Sequence, residues 1–224
     1  MRLFSKKILL PLLVGSLLLT GCSSGKIQEQ KKTVYAMDTI MDLTAYTDNS
    51  DVLNDAEKKI NEIDKELRRG SQESEIYAVN NNEETKLTDE TAYIVETALN
   101  IGKKTSGAFD ITIAPVMDLW GFYNQKFYVP TDDEIKNALK TVDYSKVSIK
   151  DNVISKPKET QVDLGGIAKG YTSDTVIKLL KDEGVTSAII SLGGNVQTLG
   201  TKPDGNLWKV AIQTLLTKIN MLVV

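Results

Sequence analysis

The sequence predicts an α+β fold, a single mixed-sheet domain with flanking helices. Helical and strand patterns intermix along the chain without a regular strand–helix–strand period, which disfavours a doubly wound parallel sheet. Hydrophobic residues make up 41% and charged residues 25% of the 224 residues, values that are ordinary for a globular protein. No repeat, low-complexity tract or Pro/Gly/Ser-rich linker divides the domain into smaller units.

Two features of the composition restrict the chemistry. The chain has no histidine, so any reaction must use carboxylates, lysine, tyrosine, hydroxyl groups or a metal ion. The net charge of -3 gives no reason to expect nucleic acid as a partner.

The first residues have the pattern of a bacterial lipoprotein signal peptide. A basic start precedes an apolar stretch at 8–19, which is too short to favour a membrane-spanning helix, and Leu19-Thr20-Gly21-Cys22 closes it. An ordinary cleaved signal peptide with an incidental cysteine is the alternative. Cys22 has no other cysteine to pair with, and we expect it to carry lipid, palmitate included, as the mature N-terminus. Residues 1–21 are then the signal peptide and 22–32 a polar tether, with the protein on the extracytoplasmic face of a bacterial cell membrane.

The first half of the domain begins with a strand and continues with two helices. Residues 33–46 alternate in part and predict a strand. A helix follows, with Asn49 or Ser50 as its N-cap, and a second helix runs from Thr88 to a stop at Ser106-Gly107. The apolar faces of these three elements consist of Met41, Leu43 and Ala45; of Leu53, Ala56, Ile60, Ile63 and Leu67; and of Ile94, Val95, Ala98 and Ile101.

The second half combines a capping box, a hairpin, a long helix and two further strands. Thr131 and Glu134 form the capping box of a short third helix, and Gly184 ends the helix that begins after Gly166. The remaining predicted elements are a small hairpin at 147–149 and 152–155, a buried strand at 187–192, a turn at Gly193-Gly194-Asn195 and a strand at 207–213.

The segment 163–171 is the strongest candidate for a functional site. Asp163 ends an apolar stretch, Gly165 and Gly166 follow, and a helix pattern begins at once, so backbone amides, a helix N-terminus and a carboxylate could surround a ligand. This arrangement is expected around a metal-bound phosphate or pyrophosphate, and Lys169 adds positive charge. The spacing matches neither a Walker A loop nor the Rossmann fingerprint. The alternative is a glycine-rich turn for close strand–helix packing, with Asp163 as a helix cap.

A second candidate is the segment 106–112, where a small-residue turn beside Phe109 and Asp110 could let a flat ring approach the backbone. Taken alone, this pattern predicts a helix stop followed by a core strand, and Trp120 and Phe122 are expected in the core. The weaker signals are Met37-Asp38-Thr39 within the first strand, the segment 74–80, and the segment 191–195 as either a backbone donor nest or a hairpin turn.

Taken in order, these segments resemble the ApbE family, the FAD:protein FMN transferases. The family is known for Met-Gly-Thr, Ser-Glu-Ile-x-x-x-Asn, Gly-Ala-Phe-Asp-Ile-Thr, Leu-Trp-Gly-Phe, Asp-x-Gly-Gly-Ile-Ala-Lys-Gly-Tyr, a Gly-Gly-Asn turn and a Gly/Trp segment after that turn. The resemblance covers residues 33–213, which we take as the domain, and a lipoprotein anchor agrees with it. The corresponding segments here are 37–39, 74–80, 107–112, 119–122, 163–171, 193–195 and 204–208.

The resemblance implies an enzyme that takes FAD as its substrate, with Mg²⁺ on the pyrophosphate. FMN would move onto a Thr or Ser hydroxyl of an acceptor flavoprotein, and AMP would leave. Gly166 would offer its carbonyl to Mg²⁺, and no catalytic side chain is assigned. Gly70 aligns with a flavin contact that is often aromatic in the family. The residues that the resemblance places against FAD are Met37, Gly70, Ala108, Phe109, Asp110, Asp163 and Lys169.

The sequence departs from the family pattern in two places. Asp38 replaces the glycine of Met-Gly-Thr and puts a side chain where the flavin approaches the strand. The family's Ser-Gly-x-Tyr and His-x-Ile-Asp-Pro segments, and a later Asp and Thr that hold magnesium, are not found, and 214–224 is expected to be an apolar, non-matching tail. We therefore expect a C-terminally truncated member that does not transfer FMN at a useful rate. The alternatives are a flavin-binding lipoprotein without transferase activity and a lipoprotein that binds another nucleotide.

Overall fold

The structure, a computed structural model, describes residues 26–212 and 220–223. Its central feature is a four-stranded sheet in which every neighbouring pair is antiparallel. The predicted α+β class is confirmed, but the expected mixed sheet is wrong for these strands, because no parallel crossover joins them. The strands are β1 (Gln28–Ala36), β2 (Thr39–Thr47), β3 (Ser148–Lys150), β4 (Val153–Ser155), β5 (Ser187–Leu192), β6 (Asn195–Leu199), β7 (Lys209–Ile212) and β8 (Asn220–Val223).

The main sheet has the order β1-β2-β5-β6, while β3 pairs with β4 and β7 pairs with β8 as separate two-stranded sheets. Helices flank the main sheet. The described part of the chain has no helix with the length and apolarity needed to cross a membrane. The helices are α1 (Val52–Leu67), α2 (Glu75–Asn80), α3 (Asp89–Lys104), α4 (Ala114–Leu119), α5 (Asp132–Ala138) and α6 (Gly165–Asp182).

One hydrophobic core lies between the main sheet, α1 and α6. Alternate residues of β2 (Met41, Leu43 and Ala45) are buried, as the period-2 pattern predicted. They pack with apolar residues of α1 and α6 such as Ile60 and Leu180. Burial of this apolar face fixes the position of α6, and α6 carries the strongest candidate segment at its N-terminus.

A second core joins the far end of α1 to α2, α3 and the start of α6. Ile63, Ile94, Ile111 and Leu164 are almost fully buried within it. Met37 is partly buried and packs against both cores, so the turn that contains it lies where the two cores meet.

The segment 33–46, predicted as one strand, forms a hairpin. β1 and β2 pair with Ala36 opposite Thr39, and the two turn residues Met37 and Asp38 have φ of 50° and 56°. Two consecutive positive φ angles are the conformation of a tight two-residue hairpin turn, which glycine adopts more easily than aspartate. The apolar alternation continues across such a short turn, and for that reason the pattern read as one continuous strand.

Most of the other predicted elements are confirmed, with corrections at their ends. Thr88 caps α3, and Thr131 and Glu134 form the capping box of α5. Asp51 occupies the N-cap of α1, whereas Asn49 and Ser50 were expected there. Residues 28–32, assigned to the tether, belong to β1. The signal peptide and Cys22 lie outside the described residues.

Two helices of six residues were not predicted. Ser74 caps α2 by accepting hydrogen bonds from the amides of Ile76 and Tyr77. α4 occurs near the position where a core strand was expected, with Pro115 in its first turn. Helices this short contain fewer than two full turns, so they show no periodicity for a sequence pattern to detect.

Candidate functional site

A cavity of about 820 Å³ opens where the β1–β2 turn, the end of α1, the segment after α4 and the start of α6 come together. Its volume falls in the range of small-molecule sites. Four of the residues predicted to contact FAD line this cavity: Met37, Gly70, Asp163 and Lys169. They come from distant parts of the sequence, and only the packing of the two cores brings them together.

The start of α6 is held rigidly. The amide of Asp163 donates to the carbonyl of Ile111 at 2.7 Å, and the amide of Gly165 donates to Asp163 Oδ1 at 2.8 Å. Leu164 is buried between them. Asp163 therefore stabilises the turn into α6, but Leu164 occupies the N-cap position, so Asp163 is not the helix cap of the alternative interpretation. Its second oxygen, Oδ2, lies 3.4 Å from the Nε of Arg69 in the cavity wall.

Close contacts with neighbouring side chains favour glycine at both of these positions. A Cβ added to Gly166 would lie 2.9 Å from Cε2 of Phe109, and one added to Gly165 would lie 3.0 Å from Asp163 Oδ1. Phe109 thus reaches the site indirectly, by packing on Gly166. Ala108 and Phe109 do not line the cavity, although both were predicted to contact FAD.

Asp110 has a different surrounding from the one expected. Its Oδ1 accepts from both the amide and the hydroxyl of Thr112 at 2.7 Å, and its Oδ2 accepts from the amide of Tyr144 at 2.9 Å. Asp110 does not line the cavity. The carboxylate of Asp110 was predicted to contact the ligand. In this structure it instead connects the turn before α4 to the segment around Tyr144.

The segment 74–80 does not line the cavity but is hydrogen-bonded to the backbone that precedes Asp163. The side-chain amide of Asn80 donates to the carbonyl of Val162 at 2.8 Å, and the amide of Val162 donates back to Asn80 Oδ1 at 2.7 Å. Both residues are buried. This pair fixes the backbone immediately before Asp163.

The turn at Gly193-Gly194 is a hairpin connection. The two glycines have φ of 60° and 91° and join β5 to β6. A Cβ on Gly193 would lie 2.5 Å from the Thr39 hydroxyl oxygen, so a side chain does not fit there. Of the two interpretations left open by the sequence, the structure shows the hairpin turn.

Several residues of the cavity wall belong to none of the predicted site segments, above all Arg69. Its guanidinium forms two hydrogen bonds with the carboxylate of Asp118, at 2.9 and 2.5 Å, and lies 4.7 Å from the ring centroid of Tyr123. Burial opposes the charge of Arg69, but the hydrogen bonds and charge of Asp118, with the charge of Asp163, raise its pKa above the ordinary value. The signal available in the sequence was the Arg68-Arg69 pair directly before Gly70.

The prediction that Phe122 lies in the core is wrong. Phe122 is 52% exposed and lines the cavity together with Tyr123 and Phe127. Trp120 is partly buried. The aromatic residues that follow α4 therefore supply wall surface next to the two arginines. Five of the eight residues in 122–129 are aromatic or apolar, which was visible in the sequence and could have indicated this exposed segment.

The residues that the structure describes do not provide a complete magnesium site by themselves. They include no group of three or more His, Cys, Asp or Glu side chains that could hold a metal ion. Near the start of α6, the available donors are the carbonyl predicted at Gly166 and the carboxylate of Asp163, which already contacts Gly165 and Arg69. Mg²⁺ requires near-octahedral oxygen coordination, so water or ligand oxygens would have to supply most of the positions.

Comparison with known proteins gives consistent results. The model of the ApbE family matches residues 37–224. An FAD:protein FMN transferase of Vibrio cholerae is 27% identical over 212 residues, which is 90% of this chain and 63% of the relative. An FAD:protein FMN transferase of Escherichia coli is 33% identical over 141 residues, covering 60% of this chain and 40% of the relative. This chain thus spans about 40–63% of the length of these curated relatives.

Solved structures agree with the fold. The flavin transferase ApbE from Vibrio cholerae superposes with a TM-score of 0.79 at 24% identity, and the ApbE protein from Thermotoga maritima with 0.79 at 25% identity. Each comparison covers 88% of this chain and 68% of the other chain. The family match includes 214–224, which sequence analysis had set outside the resemblance, and β8 within that segment pairs with β7. Since the family match takes in most of its residues, this chain belongs to the ApbE family.

Proposed function

We propose that the cavity binds FAD and that the protein is an FAD:protein FMN transferase. The observation that carries this proposal is the convergence of Met37, Gly70, Asp163 and Lys169 on one cavity of suitable volume. The relatives reported above bear the same activity in their names. Titration of the protein with FAD tests the binding step, and a failure to bind at micromolar concentrations would contradict the proposal.

In the proposed reaction, a Thr or Ser hydroxyl oxygen of an acceptor flavoprotein attacks the phosphorus of the FMN half of FAD. A new phosphoester bond forms, the bond between this phosphorus and the bridging oxygen breaks, AMP leaves with that oxygen, and the hydroxyl proton is lost. Asp163 would accept a hydrogen bond from a polar group of FAD, and Lys169 would offset phosphate charge. The glycines at the start of α6 would let the ligand approach the backbone. These residues bind and orient FAD, which is a large part of catalysis in phosphoryl transfer.

Magnesium belongs to the proposal through the family resemblance. It would offset negative charge on the pyrophosphate, with the Gly166 carbonyl as one of its ligands. The described residues alone supply too few oxygen ligands to hold the ion. A direct test is a calorimetric titration of Mg²⁺ with and without FAD. We expect binding only with FAD present, because FAD would bring the missing oxygens.

The shortage of metal ligands among residues 26–212 and 220–223 supports a second candidate function, flavin binding without transfer. The 224-residue chain should then bind FAD but leave an acceptor protein unmodified. The experiment incubates the chain with FAD, Mg²⁺ and a Thr-containing acceptor and measures the acceptor's mass. A complete FMN adduct, formed as fast as with an intact relative, would exclude this second candidate.

We also propose that lipid on Cys22 anchors the protein to the extracytoplasmic face of a bacterial membrane. The support is the sequence Leu19-Thr20-Gly21-Cys22 after a basic and apolar leader. Cys22→Ala should release the protein from the membrane fraction or leave it as the unprocessed precursor. If fractionation and mass are the same in the variant and the wild type, the anchor is elsewhere or absent.

A further inference from the structure

The segment after α4 places Tyr123 in the cavity wall, and none of the sequence motifs includes this residue. Tyr123 lies beside Arg69, whose Cζ is 4.7 Å from the ring centroid. The tyrosine also fills the space in front of Gly70, where an added Cβ would lie 2.0 Å from its hydroxyl oxygen. The side chain nevertheless remains 56% exposed and lines the cavity.

These contacts orient the ring without covering it. Arg69 is only 12% exposed and is fixed by its two hydrogen bonds to Asp118, so the cation on one side of the ring is held in place. The absence of a side chain at Gly70 lets the ring edge approach the backbone. An oriented aromatic ring with more than half of its surface open to a cavity is suited to stack on a flat conjugated ligand.

We propose that Tyr123 stacks on one of the two flat ring systems of FAD, the isoalloxazine or the adenine. This inference rests on the proposed function and deepens it, because stacking on one ring would fix the direction in which the dinucleotide lies. Lys169 and Asp163 belong to the start of α6, Tyr123 belongs to the segment after α4, and all three line the same cavity. A ring stacked on Tyr123 would therefore place the rest of the dinucleotide in the cavity that Asp163 and Lys169 also line.

The test uses the two halves of FAD as separate probes, FMN for the flavin and AMP for the adenine. Each is titrated into the wild type, Tyr123→Ala, Tyr123→Phe and Tyr128→Ala. Tyr128 is the matched control, because it belongs to the same segment, is 48% exposed and donates to Glu134, but does not line the cavity. Tyr123→Ala should weaken one of the two probes about tenfold and leave the other nearly unchanged. Tyr123→Phe and Tyr128→Ala should leave both affinities close to the wild type.

Gly70→Ala provides a second, independent variant. Its new Cβ would displace the end of the Tyr123 side chain, so it should weaken the same probe as Tyr123→Ala does. Combined with Tyr123→Ala it should cause little additional loss, since the two changes remove one contact. If the affected probe is FMN, the wild type should also quench flavin fluorescence more strongly than Tyr123→Phe, because tyrosine quenches an adjacent excited flavin efficiently.

Two results would overturn the assignment of Tyr123. Unchanged affinity of Tyr123→Ala for both probes, or an equal loss for both, would mean that the tyrosine only supports Arg69 and the loop. If the wild type binds FMN or AMP and Tyr123→Ala shows either of these two results, the stacking role is wrong but the proposed function stands. A wild type that binds neither these probes nor FAD would instead overturn the proposed function, and the stacking role with it.

Discussion

Asp110 and Asp163 are acids in two glycine-containing motifs of this family, yet their carboxylates have different surroundings. Asp110 accepts hydrogen bonds from three protein donors and does not line the cavity. Asp163 accepts one hydrogen bond, from the amide of Gly165, and directs its other oxygen toward Arg69 in the cavity wall. In this structure Asp110 is therefore part of the scaffold, while Asp163 retains acceptor capacity for a ligand.

The difference shows that a motif identifies an important acid without stating what the acid contacts. A carboxylate can accept about four hydrogen bonds, and neighbouring donors decide how many remain for a ligand. For Asp110, the donors are Thr112, two positions later, and Tyr144, which is distant in sequence. For Asp163, the distant neighbour is Arg69, which contributes charge at 3.4 Å rather than a short hydrogen bond.

The largest effect that we predict tests the scaffold role of Asp110. Asp110→Ala leaves the amide and hydroxyl of the fully buried Thr112, and the amide of Tyr144, without their acceptor. We expect the free energy of unfolding to fall by about 3 kcal/mol, since unsatisfied buried donors are costly. Urea denaturation measures this change. If stability stays the same while FAD affinity falls, Asp110 contacts the ligand and the comparison with Asp163 fails.

The next prediction concerns Asp163. Asp163→Asn removes the charge of an acceptor in the cavity, and we expect FAD to bind about 10- to 100-fold more weakly, as for the loss of a charged hydrogen bond. An FAD titration of the folded variant measures it, with circular dichroism to confirm the fold. Asp110→Asn is the matched control, since it should lower stability and leave the affinity of the folded protein nearly unchanged. Equal affinities for Asp163→Asn and the wild type would locate the FAD contact elsewhere.

The sequence predicted elements that have a local signal. The apolar alternation of β2, the caps at Thr88 and Thr131, and the helix predicted after Gly166 and ended by Gly184 all depend on residues within a few positions of one another. The Met37-Asp38 turn was missed because the alternation continues through it. The resemblance supplied the residues now found on the cavity, including Met37, Gly70 and Lys169.

The rest of the site depends on contacts between residues far apart in sequence. Arg69 and Asp118 are 49 positions apart, and their ion pair leaves no pattern that a single sequence would reveal. Phe122 was placed in the core because aromatic residues are usually buried, but here the segment after α4 lies on the surface. The hydrogen bond that Asp110 accepts from the amide of Tyr144 could not be predicted for the same reason, because the two residues are 34 positions apart.

The third prediction uses the two kinds of glycine within the segment that contains Asp163. Gly166→Val should weaken FAD binding by about tenfold and lower stability. The new Cβ would lie 2.9 Å from Phe109, and valine adds two methyl groups beyond it. Gly170, one turn later in α6, has nothing within 4 Å of an added Cβ. Gly170→Ala should therefore leave binding unchanged and stabilise the helix by up to about 1 kcal/mol. Calorimetric titration and thermal unfolding of both variants would show whether close packing is specific to Gly166.

The smallest effect concerns Tyr171, the last residue of that same segment, which contacts the scaffold as Asp110 does. Its hydroxyl donates to Glu90 at 2.9 Å, and partial burial together with this hydrogen bond raises the pKa of Tyr171 to about 12. Because the pKa is higher in the folded state than the ordinary value of 10.0, the stabilisation is fully present below about pH 10 and is lost as the pH rises through 12.

Tyr171→Phe should lower the free energy of unfolding by about 1 kcal/mol at pH 8, since it removes one partly exposed hydrogen bond. The gap between the two proteins should narrow from pH 10 upward, as urea denaturation at several pH values would show. FAD affinity at pH 8 should be the same in both, and a selective loss of affinity in Tyr171→Phe would place the tyrosine with Asp163 instead of with Asp110.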